Sequence, residues 1–366
     1  MHVLSTNRKR AGEPPRGTAS SGSPNEDGEK QMARNMKAAV MRQHGGPEAL
    51  TVEEVARPVP GAGEVLVKVA ACSLSRLDIF IRDGMPGRVI PMPHVGGCDV
   101  AGWIEEIGPE VSGVEIGAPV LIDPFWNGEM LGEAYWGGFS EYVAVSAQGL
   151  LPLPQAARFV EYSCLPTAYG TAYRMLHTRG RLRAGESLVV VGASGGVGVA
   201  CVQLGARAGA HVIACTSSED KAARLRTIGA DECVVAPDGQ FGKQVWNLTG
   251  KQGADVVVDF TGSATWTQSL RSVKHGGRLL CCGATTGFEA HTDLRYLWTR
   301  EMDIRGSDGW KTEDLRELLG IMAGHEFDPV IHAVFPLSRI QDAMRELEGR
   351  TCFGKIVVVP DDVQAA

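Results

Sequence analysis

The sequence predicts an α/β fold in two parts, a β-rich, barrel-like part followed by a parallel sheet covered on both faces. Between residues 36 and 150, short strand-like runs alternate with Gly and Pro, which is typical of a small barrel. From about residue 156, runs of Val, Ile, Leu and Ala alternate with helical patterns, which indicates buried parallel strands. A length of 366 residues agrees with about two domains.

Individual elements can be placed from hydrophobic periodicity and from Gly and Pro punctuation. In the β-rich part we expect strands over residues 37–41, 64–71, 100–107, 118–122 and 138–145. The α/β part should contain strands over 187–192, 211–216, 232–235, 254–260 and 278–283, and helices over 197–208, 220–228 and 265–274. The remaining pattern predicts a helix, a strand, a helix and a closing strand over 312–323, 329–335, 337–347 and 354–359.

Composition and charge narrow the class of protein. Hydrophobic residues make up 44% and charged residues 22% of the chain, as in ordinary globular proteins. The net charge is −7 without a basic tract, so we expect no nucleic-acid partner. No apolar run approaches about 18 residues, so we expect no membrane span. The nine cysteines never form a Cys-x-x-Cys pair, which favours reduced, cytoplasmic thiols over disulfides or a zinc knuckle.

Residues 1–35 differ in composition from the rest of the chain. They contain no Phe, Trp or Tyr, and Gly, Pro, Ser and charged residues predominate. Such a segment buries too little apolar surface to offset the entropy lost on ordering, so we expect a disordered tail. Translation that begins at Met32 or Met36 is an alternative interpretation. The segment has no apolar stretch typical of a signal peptide.

A glycine-rich turn follows the first strand of the α/β part and opens a helix. It matches a dinucleotide-binding fingerprint with Ala in place of the first Gly, over Ala193, Ser194, Gly195, Gly196, Val197 and Gly198. Glycines there permit a tight turn, close approach of the backbone to a pyrophosphate and close packing of helix on sheet. The helix start supplies free N–H groups and a partial positive charge for the anion. The alternative is a glycine-rich turn that binds no ligand.

The end of the next strand bears on the choice of nicotinamide cofactor. An Asp or Glu there would accept hydrogen bonds from ribose hydroxyls and favour NAD. This chain has Cys215-Thr216-Ser217-Ser218 instead, with Lys221 on the following helix. Hydroxyls and a cation suit a ribose 2′-phosphate, so we predict NADPH, held by Ser217 and Lys221. The alternative is that the serines only cap the helix.

Further motifs resemble a known family. They are Met36-Lys37-Ala38-Ala39 with His44-Gly45-Gly46-Pro47, Gly97-Cys98-Asp99-Val100-Ala101-Gly102, Gly170-Thr171-Ala172-Tyr173-Arg174, and Gln203-Leu204 after the glycine-rich turn. Together with that turn they are similar to the medium-chain dehydrogenase/reductase superfamily, and most similar to its quinone oxidoreductase (zeta-crystallin-like) branch. The resemblance covers residues 36–360.

The resemblance implies a GroES-like β-rich catalytic domain with an inserted Rossmann domain, a doubly wound parallel sheet. The implied bounds are 36–160 for the first part of the catalytic domain, 161–303 for the Rossmann NADP-binding domain and 304–366 for the C-terminal part. In many members the edge of the Rossmann sheet pairs across a two-fold axis, which implies a homodimer. The cofactor would lie in the cleft, lined by residues that are alternatively turn or helix-cap residues: Thr171, Thr261-Gly262 and Cys282-Gly283-Ala284.

The resemblance also bears on metal binding. Alcohol-dehydrogenase relatives hold a catalytic zinc, and their ligand positions fall at Ser75, at Gly97-Cys98-Asp99 and near Thr167. Zinc needs thiolate, imidazole or carboxylate ligands, and Ser and Thr are poor ones, so we expect no metal. We interpret Cys98 as a buried apolar side chain and Asp99 as a carboxylate that fixes a backbone turn.

Without a Lewis acid, the reaction implied is hydride delivery to an electrophilic carbon of an enone, an enal or a quinone. The conjugated carbonyl spreads negative charge to its oxygen, where one or two hydrogen-bond donors suffice. Ser75 is the candidate donor or water-anchoring group, although many members have Asn there, and its alternative role is a local backbone hydrogen bond. Aromatic side chains that suit a planar substrate, or else core and interface packing, are Trp126, Trp136, Trp298 and Trp310, with Tyr135 as a phenolic donor.

The sequence thus predicts a zinc-independent, NADPH-dependent oxidoreductase that reduces an activated C=C bond or a quinone. The expected partner is a small conjugated carbonyl compound. Two alternatives stay open, namely an alcohol, aldehyde or biosynthetic-intermediate dehydrogenase of the same fold, and a non-catalytic NADPH-binding protein.

Overall fold

The computed structural model describes residues 35–85 and 87–363. The tail predicted over residues 1–35 therefore lies outside the described residues, except for Asn35, which begins the first strand. No helix in the described ranges is long and apolar enough to cross a membrane.

The strands of the described chain range from two residues, as in β4, to eleven, as in β3. In order they are β1 (Asn35–Met41), β2 (Leu50–Ala56), β3 (Glu64–Leu74), β4 (His94–Val95), β5 (Asp99–Ile107), β6 (Pro119–Ile122), β7 (Phe125–Trp126), β8 (Glu129–Met130), β9 (Tyr142–Ser146), β10 (Leu150–Pro152), β11 (Ser187–Val191), β12 (His211–Thr216), β13 (Glu232–Val235), β14 (Ala254–Asp259), β15 (Val273–Cys281), β16 (Asp303–Gly306), β17 (Ile331–Pro336) and β18 (Lys355–Val359).

The helices of the described chain are short or of medium length. In order they are α1 (Arg76–Asp83), α2 (Phe159–Tyr162), α3 (Thr171–Tyr173), α4 (Gly196–Arg207), α5 (Glu219–Thr227), α6 (Gly242–Leu248), α7 (Trp266–Ser272), α8 (Arg295–Thr299), α9 (Thr312–Ala323) and α10 (Ile340–Glu348). Wider π-type turns over Leu165–Gly170 and Arg174–Arg179 flank α3 and make one helical run with it.

The β-rich part is closed by the end of the chain. Its largest sheet has the order β10-β6-β5-β3-β18-β17, with β9 also paired to β3. In it β18 runs antiparallel to β3, so that Ile356 lies opposite Leu74. A smaller sheet has the order β2-β1-β4. The N-terminal and C-terminal segments therefore form one GroES-like domain, and the α/β part is inserted between them, as predicted.

The inserted part is a six-stranded parallel sheet of order β13-β12-β11-β14-β15-β16, which is the Rossmann order 3-2-1-4-5-6. Its central strands are continuous apolar runs because helices cover both faces. The last strand, Asp303–Gly306, pairs with β15 and so straddles the predicted bound between residues 303 and 304. The domain bounds themselves stay a prediction.

Several predicted elements differ from the structure at their ends. The strand expected over 138–145 begins only at Tyr142, because Gly137 and Gly138 bond to the loop of Val95 and Gly97 instead. The helix expected over 265–274 ends at Ser272, where an extended backbone opens β15. Elements not predicted include β2, α1, α6 and the helical run across α3. Charged residues interrupt the strand pattern of β2, and α1 begins almost directly after β3 ends.

The two parts share one apolar core. A single cluster of buried side chains joins Ala71 and Leu121 of the large β-rich sheet, Tyr169 of the helical run, and Leu188 and Val256 of the Rossmann sheet. Because this core is continuous, it fixes the position of the cleft between the two parts.

Candidate functional site

A cavity of about 570 Å³ lies between the Rossmann sheet and the β-rich part. It brings together most of the residues predicted to bind the cofactor, and it also contains the candidate donor Ser75. The predicted residues that line it are Ser75, Thr171, Ser194, Gly195, Gly196, Val197, Ser217, Lys221, Thr261, Cys282, Gly283 and Ala284.

The glycine-rich turn has the geometry that a bound phosphate requires. Gly195 caps α4 with an extended backbone, so the N–H groups of the first helical turn are directed to the cavity. A Cβ at Gly198 would lie only 2.4 Å from Gly192 O, so no larger residue fits there without moving the turn. Ala193 and Gly198 lie beneath the turn; Ala193 is fully buried and its N–H bonds to Cys215 O at 3.0 Å.

The end of β12 forms the far wall of the cavity. Ser217 is exposed on this wall, and the buried hydroxyl of Thr216 has no hydrogen-bond partner among the described residues. Ser218 caps α5 by accepting a hydrogen bond from Lys221 N at 3.4 Å. The Lys221 ammonium donates to Arg350 O at 2.8 Å, which holds its side chain at the wall. An unpartnered hydroxyl and a cation face the same space.

Two further cations line the same cavity, Arg76 at the start of α1 and Arg350 before β18. Burial and the neighbouring Arg350 guanidinium lower the pKa of Arg76, so a bound anion would relieve repulsion there. Neither arginine was predicted from the sequence, because both lie in the β-rich part, far in sequence from the glycine-rich turn. Asp238 also lines the cavity, and its carboxylate accepts the Gln240 N–H at 3.0 Å.

A buried carboxylate fixes the loop after β14. Asp259 accepts hydrogen bonds from the N–H groups of Thr261 and Gly262, at 2.8 and 3.1 Å. Its second oxygen accepts the hydroxyls of Thr265 and Ser269, at 2.9 and 2.6 Å. Thr261 lines the cavity, whereas Gly262 packs behind it against the loop after β15.

A buried polar cluster lies at the opposite end of the cavity, where Ser75 ends β3 and opens α1. The ammonium of Lys355 donates to Ser75 Oγ at 2.8 Å, and it lies 3.4 Å from Asp99 Oδ2. Asp99 Oδ1 accepts the N–H and the hydroxyl of Thr167, at 3.0 and 2.6 Å. Ser73 Oγ lies 3.1 Å from Asp99 Oδ2 and 2.9 Å from Ser163 O, either of which can accept its proton. Lys355 and Asp99 are 3% and 0% exposed, so the ion pair is fully withdrawn from solvent.

A second carboxylate, that of Asp78, fixes the backbone of Ser75. Asp78 Oδ2 accepts the Ser75 N–H at 2.7 Å, as a residue in the first turn of α1. Burial raises the pKa of Asp78 to about 7. Cys98 lies beside it, with Sγ 3.9 Å from Asp78 Oδ1, and burial holds the pKa of this thiol well above its ordinary value.

The three positions at which relatives hold zinc thus meet in this cluster, but their donors do not suit a metal. Ser75 and Asp99 both bond to the Lys355 ammonium, so a divalent cation there would meet a like charge. Burial raises the pKa of the Cys98 thiol, which disfavours the thiolate that zinc binds. Within the described ranges, no group of three or more His, Cys, Asp and Glu side chains is placed to hold a metal ion.

The predicted aromatic residues are not brought to the cavity; among the described residues, its lining includes none of the five. Tyr135 stacks on Trp126 with ring centroids 5.2 Å apart. Trp136 donates to Pro93 O, and Trp310 donates to Asp123 Oδ1 and packs on Gly170. Trp298 lies on α8 and is 65% exposed. Their clustering in sequence reflects local packing and surface, which periodicity alone does not distinguish from a pocket.

A GroES-like sheet and a Rossmann sheet around one such cavity define an alcohol-dehydrogenase-like protein. Comparison with known proteins gives the same result. Residues 61–155 match the family model of the alcohol dehydrogenase GroES-like domain, and residues 196–324 match that of the zinc-binding dehydrogenases.

Individual relatives cover nearly the whole chain. Mouse (Mus musculus) quinone oxidoreductase is 30% identical over 88% of this chain and 98% of its own. The crystal structure of an NAD-dependent alcohol dehydrogenase is 35% identical, with a TM-score of 0.84 over 88% of this chain and 99% of that one. A crotonyl-CoA carboxylase/reductase solved with NADP is 25% identical, with a TM-score of 0.82 over 89% and 95%. The chain belongs to the medium-chain dehydrogenase/reductase superfamily.

Proposed function

We propose that this protein is an NADPH-dependent oxidoreductase that reduces the activated C=C bond of an enone or enal, or a quinone, without a metal ion. The observation that carries the proposal is the buried cluster of Ser75, Asp99 and Lys355. It places a hydrogen-bond donor and a cation in the same cavity as the glycine-rich turn. The relatives named quinone oxidoreductase and crotonyl-CoA carboxylase/reductase support this reaction class.

The residues that would hold the cofactor follow from the cavity. The N–H groups of Ser194, Gly196 and Val197 would bind the pyrophosphate, and the cleared space above Gly195, with no atom closer than 3.8 Å to an added Cβ, admits it. Ser217, Lys221 and Arg350, with the unpartnered Thr216 hydroxyl, would bind the adenosine ribose and its 2′-phosphate. Thr171 and the loop of Gly283 and Ala284 would line the nicotinamide end. Reduced nicotinamide, when bound, supplies a hydride.

The chain's own contribution to the reaction would be to stabilise negative charge. Ser75 Oγ–H faces the cavity from a buried position and would donate to the carbonyl oxygen of the substrate. A conjugated carbonyl needs little stabilisation beyond this hydrogen bond, because its own oxygen receives the negative charge that hydride addition generates. An unconjugated ketone lacks this pathway and would react slowly without a Lewis acid.

The test is NADPH oxidation, followed by absorbance, with enals, enones and quinones, and with metal content measured on the same sample. We expect turnover of at least one of these classes, NADPH preferred to NADH, and zinc far below one equivalent. Stoichiometric zinc, or a strong preference for NADH, would contradict the proposal.

One observation favours a second candidate function. The chain is 35% identical to a protein whose structure is described as an NAD-dependent alcohol dehydrogenase. Alcohol or aldehyde oxidation that a chelator abolishes would support that function instead. Tight NADPH binding without turnover of any substrate class would support a non-catalytic NADPH-binding protein.

We further propose a homodimer formed along β16, the terminal strand of the described Rossmann sheet. The segment around this strand exposes large apolar side chains, with Phe288 79%, Trp298 65% and Ile304 40% exposed. Exposed apolar groups beside a sheet edge are typical of an interface. Sedimentation velocity at micromolar concentration should give a dimer, and I304K should give a monomer; a monomeric native protein would refute this part.

The proposed location is the cytoplasm. All nine cysteines lie within the described residues as free thiols, and burial raises the pKa of most of them. Reduced thiols are usual in that compartment. Fractionation of cells that carry a tagged copy of the full chain tests this location.

A further inference from the structure

Lys355 is a buried cation whose hydrogen bonds are all directed to groups around Ser75. It begins β18 and is 3% exposed. Its ammonium donates to Leu74 O at 2.7 Å and to Ser75 Oγ at 2.8 Å, and it lies 3.4 Å from Asp99 Oδ2. An ammonium has three N–H donors, and each of these acceptors takes one. The group is therefore held in a single orientation.

The bond from Lys355 decides what the Ser75 hydroxyl can do. Because Lys355 only donates, Ser75 Oγ must accept from it, and the hydroxyl proton is left for another acceptor. The one protein acceptor within reach in the described cluster is Asp99 Oδ2, at a long 3.4 Å. That oxygen also faces the Lys355 ammonium at 3.4 Å and Ser73 Oγ at 3.1 Å, although the single Ser73 proton has a shorter contact with Ser163 O, at 2.9 Å. A ligand oxygen in the cavity is thus the better acceptor for the Ser75 proton.

The charge on Lys355 also strengthens Ser75 as a donor. A hydroxyl that accepts a hydrogen bond from a cation is polarised, and its own O–H bond donates more strongly. The environment is buried, so water screens this effect only weakly. Lys355 is itself fixed by the turn that binds phosphate, since the neighbouring Gly354 N–H bonds to Ser194 O at 3.0 Å.

We propose that Lys355 is a positioning residue that commits the Ser75 hydroxyl proton to the carbonyl oxygen of the substrate. This inference rests on the proposed function. Hydride addition to the β-carbon moves the C=C electron pair toward oxygen and leaves an enolate, which a solvent proton converts to the saturated carbonyl product. Ser75 Oγ–H stabilises the enolate oxygen, and Lys355 acts through Ser75 without touching the substrate.

A double-mutant cycle with S75A and K355M tests this coupling. We expect each single variant to lower kcat about 100-fold, as for the loss of one oxyanion donor, with KM changed less than about 3-fold. The double variant should lose no more than S75A alone, because Lys355 acts only through that hydroxyl. Lys68 lies on β3, in the same sheet as Lys355, and pairs with Asp362. The control variant K68M should retain wild-type kcat.

A spectroscopic measurement separates this role from general disruption. A coloured conjugated aldehyde bound with NADP⁺ shifts its absorption to longer wavelength when its carbonyl oxygen accepts a hydrogen bond. We expect this shift in the native protein and in K68M, and its loss in S75A, K355M and the double variant alike. NADPH affinity, measured by fluorescence titration, should change less than about 3-fold in K355M, since the ammonium has no donor left for the cofactor.

The outcomes distinguish failure of this inference from failure of the proposed function. The inference is overturned, while the native turnover stands, if K355M keeps the absorption shift or loses NADPH affinity more than about 10-fold. It is also overturned if K355M adds its full effect to that of S75A. A native protein that shows neither turnover nor the shift overturns the proposed function and the inference with it. Where K355M does not fold, K355M/D99N replaces it in the cycle, because that variant removes both buried charges together.

Discussion

The two ends of the cavity are built in different ways. At the proposed phosphate end, one contiguous turn over residues 193–198 supplies the backbone N–H groups of Ser194, Gly196 and Val197, and its glycines keep larger side chains out of the space. At the Ser75 end, the backbone serves only as support, and the chemistry comes from the side chains of Ser75, Asp99 and Lys355 on three separate segments. Binding at the phosphate end depends on open space, and the structure of the Ser75 end depends on a balance of buried charges. Different substitutions should therefore disrupt the two ends.

The largest expected effect comes from breaking the charge balance. D99A leaves the Lys355 ammonium buried without its carboxylate, so we expect the free energy of unfolding to fall by about 3 to 5 kcal/mol. Urea denaturation measures the change. D342A removes an exposed carboxylate that pairs with Arg339 and Arg345, and it should lower the free energy of unfolding far less. Equal losses in both variants would mean that the buried pair of Asp99 and Lys355 matters no more than an exposed pair. That result would contradict the dependence of the Ser75 end on charge balance.

Filling space at the phosphate end should have the second largest effect. G198A places a Cβ 2.4 Å from Gly192 O, so the turn must move and its N–H groups lose their alignment. We expect NADPH affinity, measured by fluorescence titration, to fall about 100-fold, or about 2.7 kcal/mol. G320A adds the same methyl group on α9, where no atom lies within 4 Å, and should leave affinity unchanged. Unaltered binding by G198A would refute the assignment of the turn.

The stability of the Ser75 end should also depend on pH, through the ionisation of Asp78. Its folded-state pKa of about 7 lies above the unfolded value, so the folded protein favours the protonated acid. The free energy of unfolding should therefore fall as pH rises, by roughly 2 to 3 kcal/mol between about pH 5 and pH 8.

Two variants check the origin of this pH dependence. D78N cannot ionise, and it should flatten the pH dependence measured by urea denaturation at the two pH values. D83N, at the exposed end of the same helix, should retain the native slope. A native protein that grows more stable toward pH 8 would refute the role of Asp78.

The smallest expected effect concerns cofactor choice at the phosphate end. K221A removes a cation that lies at the cavity wall, so NADPH affinity should fall about 10-fold, or about 1.4 kcal/mol, while NADH affinity should stay within about 2-fold. K243A removes an exposed lysine of α6 and should change neither. Equal losses for both cofactors in K221A would contradict a 2′-phosphate site.

The same contrast explains how much could be predicted from sequence. A contiguous motif after a buried strand predicted the glycine-rich turn, and the structure brings Ser194, Gly195, Gly196 and Val197 to the lining of the cavity. Their role in phosphate binding and the absence of a metal both stay predictions. The residues at the metal positions were identified from sequence, since Ser75 and Thr167 can be read one at a time. Lys355 was not identified, because its partner lies 280 residues away and nothing local marks it as buried.

The aromatic residues show the opposite limit. Trp126 and Tyr135 are near each other in sequence, and the structure stacks them on each other, outside the lining of the cavity. Trp310 does return toward the β-rich part, but its indole bonds to Asp123. Composition indicated where these rings cluster, whereas the direction of each side chain depends on loop conformations that periodicity does not encode.

The pairing of β18 with β3 has a consequence for how the protein is made. Lys355 is separated from Ser75 by 280 residues and from Asp99 by 256. Contacts of such long range raise the contact order and slow folding, because a long loop must close before they form. A ribosome must synthesise and release β18 before the cation reaches Asp99. The buried cluster of the β-rich domain is therefore completed only after the whole Rossmann part has been synthesised.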